Sequence, residues 1–337
     1  ARFYYALNGG RINTDFIDNS AGVNMSDYEV NIKILLKYLL QNKKIGSVGK
    51  RNILLEDATD NVTDLVLLNN REQHRLLSMD SLRSLQSPFT FTKFIQSLIT
   101  NKILDPKRET IPDQATLENL VTKDQPIPRP ILAVIQAYTK MWLYDKLIES
   151  SIVSLDVFNP LYKAYFPNLL FQKFEKLLGD HHLKSEILAT QLTNLIINQA
   201  GTTFFFDLKQ ITGKRTEQIS LVYMFVDYCF DGVNFRDEIK LQKLKKVDKY
   251  NALIEFEKMI KGIVIDILQM SEFDNVELIL SHLVAFKTIT QKCQKQLIGR
   301  LESSKRFDTW KGKGFNIETA QYIAIFPELS ILPDLFY

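Results

Sequence analysis

The chain reads as mainly α, with a short β-like stretch over residues 1 to 25 followed by a long multi-helical region. Three observations predict this. Glycines at 9, 10 and 22 punctuate the opening segment. From Ser26 apolar residues recur at helical spacing. Strand-like runs are scarce thereafter, Thr203-Phe-Phe-Phe206 being the one tempting case.

The opening, Ala1-Arg-Phe-Tyr-Tyr-Ala-Leu7, has the look of a strand already under way, as expected of a fragment of a larger polypeptide. Asn19-Ser-Ala-Gly-Val23 reads as a tight turn of small residues that lets backbone approach a ligand closely. Ser26-x-x-Glu29 before an apolar run has the form of a capping box. A capping Ser hydroxyl keeps its own proton free to donate to an anion held at the helix start. Tyr28, Ile32, Leu35, Leu36 and Leu39 make one apolar stripe of the helix that follows, and Val30, Ile34 and Leu40 a second, which predicts burial on two sides. Lys43-Lys44 and the Gly46 to Gly49 loop end it.

Further helices are expected around 60 to 78, 92 to 102, 130 to 150, 160 to 178, 183 to 199, 216 to 231, 250 to 270, 274 to 302 and 317 to 325. The prolines at 106, 112, 126, 128 and 130 fall in the longest irregular stretch, about 103 to 129, taken as an internal connection. Thr190, Asn194 and Asn198 form a polar line in which two amides can bond across to a neighbouring helix. The lysines from Lys240 to Lys249 fit the solvated face of an amphipathic helix.

Composition excludes several functions. With 45% hydrophobic and 24% charged residues the chain folds as a globular protein. A net charge of +3 is too weak a field to imply nucleic acid or an anionic membrane as partner. No apolar stretch approaches the ~20 residues needed to span a bilayer. Two cysteines, Cys229 and Cys293, have no paired spacing, which fits a cytoplasmic location. Gly46-Ser-Val-Gly-Lys-Arg51 lacks the earlier glycine of a P-loop, and no turn for a dinucleotide is present. His182 and Glu186 lie one turn apart without an evident third metal ligand, so no metal is expected, and Asp180 is the expected cap of the helix that carries Glu186.

The run from Gly9 to Val23 and, after two variable positions, from Ser26 to Leu36 resembles the substrate end of the catalytic domain of the large bacterial NAD-specific glutamate dehydrogenases. The similarity continues through Arg129 to Lys140, the Tyr165-Phe-Pro167 turn and Leu183 to Asn198. Ile131 departs from it, since the family usually has an acidic residue there. The resemblance implies that residues 1–44 close a dinucleotide-binding α/β catalytic domain and that 45–337 form a helical C-terminal domain. It implies that Ser26 donates to a substrate carboxylate, that Val23 lines the substrate pocket, and that Asn19 and Gly22 lie near the NAD nicotinamide. No catalytic residue falls in this chain, because the family's cofactor turn, catalytic lysine and acidic proton-transfer residue lie further towards the N-terminus. The partners implied are L-glutamate and 2-oxoglutarate, the rest of the parent chain and a homo-oligomer, with a structural or regulatory role for the helical region. The alternative is a non-catalytic helical interaction or oligomerisation module.

Overall fold

The computed structural model describes residues 1–270, 276–301 and 304–331, and for Val121 the backbone alone. It falls into two compact units, residues 1–198 and 199–337. The described residues contain helices and no strand.

In the first unit the helices are α1 (Arg2–Leu7), α2 (Asp15–Asp18), α3 (Ser20–Gln41), α4 (Val48–Asp57), α5 (Thr59–Gln86), α6 (Pro88–Thr100), α7 (Gln114–Thr122), α8 (Arg129–Ile148), α9 (Asn159–Lys163), α10 (Asn168–Leu178) and α11 (Lys184–Ala200), whose last two residues belong to the second unit. The long α5 packs against α3, α6 and α8. Leu35, Leu36 and Leu39 of α3 meet a core that also takes Leu76 and Leu77 of α5, Ile95 of α6, and Leu132 and Ile135 of α8, all buried.

The expected α/β remnant is not observed. Residues 2 to 7 are helical, with the Tyr5 amide bonded to the Ala1 carbonyl. A strand needs a neighbouring ladder for its backbone groups, and where no strand offers one the segment meets that demand internally as a helix. Further differences have equally local causes. The 103 to 129 stretch contains α7, whose start is fixed by Asp113 Oδ1 accepting from the Thr116 amide at 2.8 Å. The single helix expected over 160 to 178 is divided at Tyr165-Phe166-Pro167, because a proline disfavours helical backbone in the residue before it. Ser47 caps α4 through the Lys50 amide, which gives the glycine loop a helix-starting role.

The second unit holds α12 (Phe204–Thr212), α13 (Thr216–Cys229), α14 (Gly232–Leu241), α15 (Lys246–Gln269), α16 (Val276–Gly299), α17 (Lys305–Gly312), α18 (Ile317–Ala324) and α19 (Phe326–Leu329). The tempting strand at 203 to 206 opens α12, where Phe204, Phe205 and Leu208 are buried at helical spacing. Residues 274, 275 and 302, at the ends of one expected helix, lie outside the described residues. The lysine run forms no continuous helix: α14 stops at Leu241, and Gln242 turns extended to bond Thr319 Oγ1 at 2.8 Å.

α13 and α15 form the centre of this unit and bury an ionic cluster. The Arg236 guanidinium lies 2.5 Å from Asp227 Oδ1 and 2.6 Å from Glu257 Oε1, all three side chains being buried. Tyr223 donates its hydroxyl to Glu257 Oε2 at 3.0 Å, and the Phe256 ring lies 5.1 Å from the guanidinium carbon. A side chain at Gly232 would strike Asp227 and Arg236, so glycine is what lets α14 start against the pair.

Candidate functional site

The residues singled out for ligand contact, Asn19, Gly22, Val23 and Ser26, stand at the start of α3, and the structure alters their setting. Helix α3 begins at Ser20, so residues 20 to 23 are helix and not a turn, and Ser26 sits in its second turn and not at its cap. The capping-box assignment for Ser26 and Glu29 is therefore corrected. The cause is an earlier anchor. Asn70 of α5 donates to Ser20 Oγ at 2.7 Å and to the Ile17 carbonyl at 3.1 Å, tying the joint between α2 and α3. Asp18 accepts from the Asn13 amide and side chain, and Arg129 of α8 donates to Asn13 Oδ1 at 2.8 Å. With the chain held there, helix propagates one and a half turns ahead of Ser26.

The four residues then occupy positions i, i+3, i+4 and i+7 of one helical face, spread over roughly 10 Å of axis. All four are exposed, Val23 by 78%, and a Cβ at Gly22 would meet nothing. Val30, one turn further, is 51% exposed, while Ile34 and Leu40 are half-buried, so the second apolar stripe expected on this helix is only partly covered. Asn19 makes no side-chain cap, and Ser26 Oγ is bonded to none of the described residues. An open amide, an open hydroxyl, bare backbone and an apolar wall thus face the same way. A cleft of about 350 Å³ between α3, α4 and α5 flanks this face, lined by Met25, Ile32 and Val62 among others.

The opposite side of α3, about 180° away, is where the helix is held. Tyr28 stacks on Tyr165 at 4.5 Å, and its hydroxyl accepts from Asn69. His181 Nε2 lies 2.9 Å from the Asn31 carbonyl while its Nδ1 accepts from the Leu183 amide. A carbonyl only accepts, so Nε2 carries the proton and the ring is neutral, and burial lowers its pKa in agreement. Asp180, the expected cap of α11, instead accepts from Tyr38, and His181 holds the entry to that helix. Sequence reading missed these anchors. The signal available was Asn69-Asn70 in the middle of a long helix, where such residues need a reason.

The described residues contain no strand, and so no strand-turn-helix cradle of the kind that holds a pyrophosphate. They also contain no group of three or more metal-binding side chains, and no helix long and apolar enough to cross a membrane.

Residues 1–80 match the family described as bacterial NAD-glutamate dehydrogenase, catalytic domain, and residues 124–336 match glutamate dehydrogenase, C-terminal. The chain belongs to the bacterial NAD-glutamate dehydrogenase family. An NAD-specific glutamate dehydrogenase of Pseudomonas aeruginosa is 36% identical over 230 residues, 68% of this chain and 14% of that protein. Proteins of the same name from Halomonas elongata and Mycobacterium tuberculosis are each 31% identical, over 77% and 68% of this chain and 16% and 14% of theirs. The chain thus spans about one-seventh of the relatives it matches.

In this member of the family the two matched regions share a core. The compact unit 1–198 contains all of the catalytic-domain match and the first part of the C-terminal match. Within that second part, Lys140 of α8 donates to Asn194 Oδ1 of α11 at 2.8 Å, so one amide of the polar line does bond across to another helix. Thr190 bonds back to its own helix, and Asn198 Oδ1 is buried without a partner. Burial pushes the Lys140 amine down to about 7, against the opposing attraction of Glu72. Asn194→Ala removes the acceptor of a buried amine and is expected to cost about 1–3 kcal/mol, read as a lower melting temperature. An unchanged melting temperature would show the bond to be incidental.

Proposed function

We propose that the chain supplies part of the substrate pocket of an NAD-dependent glutamate dehydrogenase, together with a helical region of structural or regulatory role. On this reading residues 1–44 are the end of the catalytic domain and 45–337 the helical domain. The reaction is the oxidation of L-glutamate by NAD and water to 2-oxoglutarate, ammonium and NADH, with a nicotinamide accepting hydride when it is bound. The observation that carries the proposal is the exposed face of α3, where Asn19, Gly22, Val23 and Ser26 stand open together within a segment matching the family's catalytic domain.

Each residue has a chemical task there. The Ser26 hydroxyl donates to a substrate carboxylate. Val23 supplies an apolar wall against the substrate's methylene groups. Asn19 offers amide donors and an acceptor, and Gly22 close backbone approach, to a nicotinamide held by other parts of the enzyme. The exposed Val30 suits a helix whose outer side is covered by such parts. A cytoplasmic enzyme that assembles as a homo-oligomer fits this reading.

The test follows NADH absorbance with glutamate and NAD in the full-length enzyme, its Ser26→Ala variant and the present chain alone. Loss of one charge-assisted hydrogen bond is expected to raise the glutamate KM by roughly tenfold to hundredfold, with the isolated chain inactive. A glutamate KM that ignores the substitution sinks the assignment of Ser26, and an inactive full-length protein favours a non-catalytic helical interaction module.

A further inference from the structure

The side chains assigned to ligand on α3 take no part in orienting it: the Asn19 amide makes no cap, Ser26 Oγ meets none of the described residues and Val23 is open. Away from that face, one residue makes three contacts with the helix. Tyr165, in the turn between α9 and α10, stacks its ring on Tyr28 with centroids 4.5 Å apart and planes at 20°. Its hydroxyl donates to Asp27 Oδ2 at 3.0 Å and accepts from Asn31 Nδ2 at 2.8 Å. Asn31 Nδ2 also reaches Asp27 Oδ1 at 3.3 Å, closing a three-membered polar ring.

One phenol therefore grips positions i, i+1 and i+4 of α3, beginning at the residue next to Ser26. Stacking fixes how near the helix lies, and the two hydroxyl bonds fix its rotation about its own axis. A rotation of 20° swings a side-chain tip on a helix of this radius by roughly 2 Å. Misplacement by about 1 Å is enough to weaken a positioned contact up to a hundredfold. Tyr165 lies in the stretch matching the C-terminal family, whereas Asp27, Tyr28 and Asn31 lie in the stretch matching the catalytic domain.

We propose that Tyr165 is a positioning residue for the substrate face of α3, through which the helical C-terminal region sets the direction of Ser26 and Val23. This rests on the reading of that face as substrate-binding. A tyrosine that only filled space would contribute its ring; here the hydroxyl of a buried tyrosine donates to the exposed carboxylate of Asp27, next to Ser26 in the chain.

The experiment measures glutamate KM, kcat and melting temperature in the full-length enzyme for Tyr165→Phe, Asp27→Ala, their combination and Ser26→Ala. Tyr165→Phe keeps the stacked ring and removes only the hydroxyl; Asp27 is exposed, so Asp27→Ala removes the acceptor without opening the core. The expected result is a glutamate KM raised about tenfold by either substitution, with melting within a few degrees of the parent and a double variant little worse than the singles, since both break the same Tyr165–Asp27 bond. If Ser26→Ala raises the KM while Tyr165→Phe and Asp27→Ala leave it unchanged, the positioning role is overturned and the substrate face stands. If Ser26→Ala leaves it unchanged, the substrate face falls and the positioning role with it. Should Tyr165→Phe not fold, Asp27→Ala decides alone.

Discussion

Replacing Arg236 by alanine is expected to destabilise the second unit by about 3–5 kcal/mol, because it strands Asp227 and Glu257 as buried carboxylates with no cation between them. A loss of that size is a large fraction of what holds a domain of ordinary stability together. Denaturant titration followed through the buried Trp310 of this unit reads the effect directly. The damage should be largely reversed when the charges leave together, as in Arg236→Met with Asp227→Asn and Glu257→Gln, since the penalty lies in the unmatched carboxylates and not in the absence of arginine. A loss below about 1 kcal/mol for Arg236→Ala would mean that water reaches the cluster.

Lys140→Met is expected to act in the opposite direction and to be visible in the pH dependence. The unfolded chain binds a proton on this amine up to 10.5, while the native amine, pushed down by burial, gives it up at about 7. Between those two values the unfolded state holds more protons, so stability rises with pH across that window, and below it the native state carries the full cost of a buried ammonium. At ~1.4 kcal/mol per pH unit the swing is on the order of 5 kcal/mol. Methionine fills a similar volume without charge and should therefore stabilise the first unit near neutral pH and flatten its profile between pH 7 and 10. Glu72 keeps its partner Arg75, so the substitution leaves no new lone charge. Thermal unfolding of both proteins across that range is the measurement, and parallel profiles would show that the amine stays hydrated.

Most of the long helices were legible in the sequence because their cores have one clear period, as in α15, where buried residues recur at helical spacing. What was misread was governed by partners distant in the chain. Ser26 looked like a helix cap because Ser-x-x-Glu is a local signal, yet the start of α3 is fixed by Asn70, 50 residues away from Ser20. Val30 looked like part of a second buried stripe because spacing reports which residues share a face and not whether anything covers it. Phe204 to Phe206 looked like a strand because a short apolar run has no period of its own. The proposed site residues could be named from the resemblance, but the side of the helix on which they stand, and the tyrosine packed against that helix, come from contacts that no local pattern announces.

The grip of Tyr165 and His181 on α3 also says when that helix acquires its final setting. Their bonds to Asn31 span 134 and 150 residues, so none can form until the chain has grown that far beyond α3. At common synthesis rates of about 5–20 residues per second, roughly eight to thirty seconds separate the appearance of Asn31 from that of His181. Until then the inner tyrosine of α3 lacks its stacking partner, and closing so long a loop is a slow, non-local step. The first eighty residues, though they match a catalytic domain, thus mature on the timetable of the helical region behind them.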